Sequence, residues 1–100
     1  APLSKIIAPV DGAVVDGVVA ITGVASDSGG GVVAGIEVST DGGESWHPAF
    51  GTDRWSYEWK GPGGCGHATI LRRATDDSNQ TEVVGGGVQV RGPHSLSRTK

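Results

Sequence analysis

Val32-Val33-Ala34-Gly35-Ile36-Glu37-Val38-Ser39-Thr40-Asp41-Gly42-Gly43-Glu44-Ser45-Trp46-His47-Pro48-Ala49 is the stretch that decides the fold of this chain. Val32, Ala34, Ile36 and Val38 alternate with Gly35, Glu37 and Ser39, the period of a strand with one face buried and one face wet. Asp41-Gly42-Gly43 then stops the alternation, because Asp-Gly is favoured in hairpin turns whose central residues need positive φ. Residues 44–49 return beside the strand they left. The unit is a β-hairpin.

Working outward, the same period recurs on both sides. Upstream, residues 4–8 form a short first strand ended by Pro9, and Pro9-Val10-Asp11-Gly12 reads as a turn in which proline presets φ. Residues 14–24 form a second β region broken near Asp16-Gly17, and Val19, Ile21 and Ala25 alternate with Ala20, Thr22 and Val24. Residues 27–31 are a loop. Downstream, residues 55–60 put Trp55, Tyr57 and Trp59 on one face and Ser56, Glu58 and Lys60 on the other, so the aromatic stripe is expected in the core. A loop over 61–66, a strand over 67–75, a turn over 76–79 and a last strand over 80–90 complete the chain.

No window keeps a helical apolar spacing without a glycine or a β-branched cluster intervening. About seven antiparallel strands with turns every 8–12 residues or so predict an all-β, immunoglobulin-like β-sandwich. Residues 1–90 are expected to be one domain and residues 91–100, with Arg91, Arg98 and Lys100, a flexible tail. One position conflicts with the pattern. Arg72 shares a face with Ile70 and Ala74, so either a carboxylate such as Glu58 pairs with it or its strand lies near an edge.

Composition narrows the function classes. With 18 glycines in 100 residues but 36% apolar residues in short runs, the glycines mark turns and not disorder. The formal charge of −3 carries no clustered Lys/Arg footprint for nucleic acid. No stretch approaches the roughly 20 apolar residues of a membrane span, and the first residues lack the basic start and apolar core of a signal peptide. Cys65, the single cysteine, makes no internal disulfide.

Motifs that suggest chemistry are each outweighed by a structural reading. Asp27-Ser28-Gly29-Gly30 partly matches the nucleophile segment of trypsin-like proteases, but those enzymes need two barrels, and Ser26 replaces the usual leading glycine. Gly61-Pro62-Gly63-Gly64-Cys65-Gly66 fits G-x-G-x-x-G, yet a strand and not a helix follows it. His47, His67 and His94 have no paired spacing, and Cys65 near His67 falls short of a zinc set. Asp76, Asp77, Asn79 and Glu82 offer oxygens for calcium without the order of a binding loop. Asn79-Gln80-Thr81 is a glycosylation triplet that matters only in a eukaryotic secretory route. Trp46 and Trp55 are the candidate ligand or partner surface, since aromatic faces stack on sugars.

The run from Gly35 through Asp41-Gly42-Gly43-Glu44-Ser45-Trp46 to Ala49 resembles the V-S-T-D-G-G-x-[ST]-W-x-x-A signature of the carboxy-terminal dimerisation domain of sulfite-oxidase-type molybdenum enzymes. Trp55-Ser56-Tyr57-Glu58-Trp59 resembles its aromatic strand, and Arg73-Ala74-Thr75-Asp76 its R-A-x-D strand end. Similar segments recur in immunoglobulin-like modules of bacterial multidomain proteins. The resemblance spans roughly residues 18–90 and implies a sandwich. It implies no redox chemistry, because that family's molybdenum-binding cysteine lies in a separate domain and Cys65 sits in no matching motif.

The expectation is a non-catalytic structural or interaction module of a larger, exported bacterial protein, extracellular or on the cell surface, with no cofactor and no metal. Its partners would be neighbouring domains of the parent protein or a second copy, with no nucleic acid and no membrane insertion. The alternatives are a dimerisation domain of a sulfite-oxidase-like oxidoreductase and a carbohydrate-binding module using exposed tryptophans.

Overall fold

The computed structural model describes residues 2–27, 31–82 and 86–93, and within them the chain is all strand and loop. In chain order the strands are β1 (Pro2–Ala8), β2 (Ala13–Val14), β3 (Val18–Asp27), β4 (Val33–Ser39), β5 (His47–Pro48), β6 (Phe50–Gly51), β7 (Arg54–Lys60), β8 (His67–Asp76) and β9 (Val88–Arg91). They form two sheets, β1-β3-β7-β6 and β2-β9-β8-β4-β5, every pairing antiparallel except β2 with β9. This is the expected sandwich. Three of the nine strands are two residues long, which accounts for the lower number read from the sequence.

The core lies between the sheets and is made by alternate residues of the long strands. Ile21 of β3, Ile36 and Val38 of β4, Trp55 of β7, Ile70 and Ala74 of β8 and Val90 of β9 are all buried. In β3 the expected faces hold, with Ile21 inside and Ala20 and Val24 outside. In β4 they shift at one end. Pairing with β8 slips between Val33 and Gly35, so Val33 turns inward while Val32 and Ala34 face water. An irregularity of this kind reverses the inside–outside assignment of the residues before it, and no period-two pattern contains that information.

Trp55 is the largest buried group and is only 2% exposed. Its indole lies against Gly23 on the neighbouring strand, and its Nε1–H donates to the Val24 carbonyl at 3.2 Å. A Cβ at position 23 would stand 2.2 Å from the indole and 2.2 Å from the Lys5 carbonyl oxygen. Gly23 is therefore required where the ring crosses the strand.

The Arg72 guanidinium points between the sheets, as its alternation demands. Strand β9 pairs with β8 only over residues 67–70, so at Arg72 β8 has β4 on one side and, among the described residues, no strand on the other, the edge position that was expected; Glu58 is exposed on the other sheet. Arg72 instead donates to two backbone carbonyls, Gly86 at 2.8 Å and Ser4 at 3.1 Å, while its buried Nε has no partner among the described residues. Glu82 completes the arrangement by accepting from the Ser4 amide at 2.9 Å, the Ser4 hydroxyl and the Ala74 amide at 3.1 Å. Both outward-facing backbone groups of Ser4 are thus satisfied by side chains that arrive from the opposite sheet.

The strand expected over 80–90 is described in two pieces. At its start Thr81 bridges Thr75 and the Glu82 amide donates to Ala74, residues 83–85 lie outside the described residues, and β9 begins at Val88. Arg91, expected in the tail, closes β9, and the Gly92 amide still donates to Gly66. The rest of the expected tail, 94–100, lies outside the described residues.

The hairpin after β4 is a longer loop than Asp-Gly alone implies. Positive φ falls on Gly42 (75°) and Gly43 (102°), and Asp41 organises the loop through its side chain. Its carboxylate accepts from the Ser39 hydroxyl at 2.7 Å, the Ser45 amide at 2.9 Å and the Ser45 hydroxyl, while Ser39 Oγ accepts from the Gly43 amide at 2.8 Å. The Ser45 hydroxyl first, then that of Ser39 and the Ser45 amide, hold the Asp41 carboxyl well below the usual carboxylate range.

The pairings also fix the two poles of the sandwich. Pro2 lies opposite Asp27 and Val33 opposite Asp76, so β1 starts at one pole; Arg91 lies opposite His67, so β9 ends at the other.

Two expectations follow. Gly23→Ala should lower stability by about 3 kcal/mol, the upper range of overpacking penalties, whereas Gly35→Ala, which has open space, should stay within about 0.5 kcal/mol; urea midpoints of the two variants measure the contrast. Asp41 has a lowered folded pKa, so its contribution is present above the unfolded value near ~3.9 and fades as pH falls through the folded one. The melting temperature of the wild type should therefore fall more steeply below about pH 4 than that of Asp41→Asn, as thermal melts across an acid series would read.

Candidate functional site

The two tryptophans singled out from the sequence occupy different environments. Trp55 is in the core and almost wholly buried, its indole filling the space over Gly23. Trp46 is half-buried just before β5. The Arg73 guanidinium lies 4.2 Å from the centroid of its ring, and Arg73 Nε also donates to Glu37 at 2.8 Å. Glu37 and Arg73 are cross-strand neighbours on β4 and β8, so Trp46 folds back over the outer face of the second sheet and completes a charge–aromatic stack there. Arg73 therefore takes one face of the ring that a sugar would need. The structure does not bring Trp46 and Trp55 together.

Asp76 and Glu82, two of the oxygen donors in the suspected calcium turn, are engaged with the chain itself. Asp76 is buried, and its Oδ1 accepts from the amides of Ser78 at 2.9 Å and Gln80 at 2.8 Å. Glu82 is held by Ser4 and Ala74. Asp77 and Asn79 are exposed. Among the described residues no three His, Cys, Asp or Glu side chains converge as a metal site would require. Cys65 is a free, exposed thiol in the 61–66 loop. His67 opens β8, and His47 stacks on Tyr57 with ring centroids 5.9 Å apart, tying the edge of one sheet to the other. Ser28, Gly29 and Gly30 of the protease-like segment, and His94, lie outside the described residues. No helix among the described residues is long and apolar enough to cross a membrane.

The surface features that remain concern contact and not chemistry. The outer face of the first sheet carries a shallow groove of about 410 Å³ lined by Ile7, Thr22, Val24, Phe50, Arg54 and Ser56, with Gly23 and Trp55 at its floor. Phe50 is 84% exposed, far more than any other aromatic side chain here, and the sequence reading passed it over. A signal was present: an isolated aromatic between Ala49 and Gly51-Thr52-Asp53 belongs to no alternating run, and nothing in its neighbourhood would bury it. A smaller depression of about 360 Å³ lies beside the Asp41 turn, lined by Thr40, Asp41, Gly42, His67, Ala68 and Thr69.

A second structural feature is more regular. The segment from β5 to β6 crosses from one sheet to the other, pairing with β4 at Glu37 and Val38 and with β7 at Ser56 and Trp55. It is too short to cover either strand fully. Residues 57–60 of β7 pair with β3 on one side and, among the described residues, with no strand on the other.

Comparisons with known proteins agree with this architecture. The family model described as "Bacterial Ig domain" matches residues 2–84. In fold, the chain is similar to a solved structure described as "Structures of Clostridium thermocellum CbhA fibronectin(III)-like modules". The TM-score is 0.72 at 24% identity, over 99% of this chain and 50% of that one. The chain thus spans about half the length of that relative. No curated protein matches it in sequence. Neither comparison supports the narrower resemblance to the dimerisation domain of sulfite-oxidase-type enzymes. With two sheets, the core between them and a family match over most of its length, the chain belongs to the bacterial Ig domain family.

Proposed function

We propose that this chain is a non-catalytic structural module of a larger exported bacterial protein, and that it holds its neighbours apart in series. The observation that carries the reading is the polarity of the sandwich. Strand β1 begins at the pole formed by Asp27, Val33 and Asp76, and β9 ends at the opposite pole beside His67 and Gly66. A chain that enters at one pole and leaves at the other adds the full length of the sandwich to whatever it joins, as a spacer must.

The local chemistry supports the same view. Asp41 and Asp76, carboxylates with several hydrogen bonds each, bond within their own turns, and the two inter-sheet polar groups, Arg72 and Glu82, bond backbone. These groups stabilise the fold and leave no convergent acid, base and nucleophile among the described residues. Ig-like modules of bacteria are often extracellular, which supports placing the parent protein outside the cytoplasm. Carbohydrate binding through tryptophan is disfavoured by the burial of Trp55 and by the Arg73 guanidinium on Trp46.

The test is small-angle X-ray scattering from two copies joined in series. The expected particle is elongated, with a maximum dimension close to twice that of one copy. A compact pair, folded side by side, would overturn the spacer reading.

A further inference from the structure

A sheet edge accepts another strand through its unpaired backbone amides and carbonyls, and the edges of this sandwich differ in how many they leave free. Strand β1 is closed to this: Pro2 has no N–H, both backbone groups of Ser4 are taken by Glu82 and Arg72, and pairing is irregular between Ile6 and Ala8. Strands β2, β5 and β6 are two residues each, and β5 contains Pro48. The uncovered end of β4, Val33 to Gly35, carries the register slip. Tyr57-Glu58-Trp59-Lys60 is different. It is a regular run without glycine or proline, and among the described residues it is unpaired along one side.

We propose that this edge is an interface between two copies of the chain, formed by antiparallel pairing of β7 with β7 of the second copy about a two-fold axis through Trp59. Symmetry and charge select that register. A two-fold axis perpendicular to the sheet keeps inner faces on one side, so a residue pairs only with one whose side chain points the same way. A centre on Tyr57 would set Glu58 against Ser56, which β6 already covers, and that leaves three registers, centred on Glu58, Trp59 or Lys60. The first sets Glu58 against Glu58 and the last sets Lys60 against Lys60, and like charges directly opposite are destabilising.

The register centred on Trp59 sets each Glu58 against the Lys60 of the other copy, twice. Both side chains are exposed in the single chain and on the outer face, so they meet without rearranging the core. The partly buried Trp59 rings then lie side by side at the seam between the two cores. Gly61-Pro62 ends the pairing where β6 begins to cover β7 at Ser56, so the added strand stops before it meets Phe50. The interface is isologous and closes at two copies.

Sedimentation equilibrium of the 100-residue chain under reducing conditions, which keep Cys65 from cross-linking copies, tests the proposal. The wild type is expected to form a reversible dimer. Glu58→Lys and Lys60→Glu, each placing like charges opposite one another, should weaken the dissociation constant at least about tenfold. The double variant Glu58→Lys/Lys60→Glu restores the opposite pairs and should return to within about threefold of the wild type. Circular dichroism checks that all four remain folded. A wild type monomeric to about 1 mM, single reversals that dimerise like the wild type, or a double variant that stays weak would each overturn the interface. The outcome is independent of the spacer reading, which the scattering of joined copies decides.

Discussion

The contact between the Trp55 indole and the bare backbone of Gly23 is the constraint on which the rest of the sandwich depends. A ring of that size in the interior sets the local separation of the sheets, and its N–H must find an acceptor there because an unpaired buried donor is costly. The Val24 carbonyl, on the strand that Trp55 crosses, supplies it. Ring, glycine and carbonyl together fix the register of β7 against β3, and once that register holds, Ile21, Ile36, Val38 and Ile70 fall into the space between the sheets. The hydrophobic gain is non-directional, but the aromatic contact is not.

Arg72 and Glu82 show how a polar pair can serve the same architecture. A guanidinium on an inward-facing position is a liability unless its donors are used. Here two of them reach carbonyls of segments that β8 does not pair with, and Glu82 gathers amides of β1 and β8. The result stitches the two sheets at the edge where β1 lies over β8. It also removes the only unpaired backbone groups of Ser4 from the reach of another strand. The sandwich therefore has one protected side, closed by these side chains, and one open side, where β5 and β6 cover β4 and β7 only in part. The proposed spacer role calls for stability along the length and restraint at the edges, and this asymmetry leaves one short, charged run of β7 unpaired among the described residues.

The surface charge–aromatic stack of Glu37, Arg73 and Trp46, the Asp41 turn and the Asp76 turn each satisfy their own polar groups locally. Polar groups held in this way shape loops, and the Asp76 and Glu82 oxygens that suggested a calcium turn are among them.

The sequence by itself determined the strands, the hairpin at Asp41-Gly42-Gly43 and the sandwich class, because alternation and turn chemistry are local and are written in neighbouring residues. It also pointed to Trp55 as core. It did not determine that Val33 and not Val32 enters the core, since the slip between Val33 and Gly35 arises from pairing with β8, some forty residues away. It left Arg72 open between a carboxylate partner and an edge position, and it did not name the Gly86 and Ser4 carbonyls that accept from it, because backbone carbonyls carry no residue signature. It passed over Phe50 and the uncovered half of β7, which exist only because the crossover from β5 to β6 is too short to span both strands. Period and turn type are properties of the chain; register, edge and exposure are properties of the pair of sheets, and only their packing decided them.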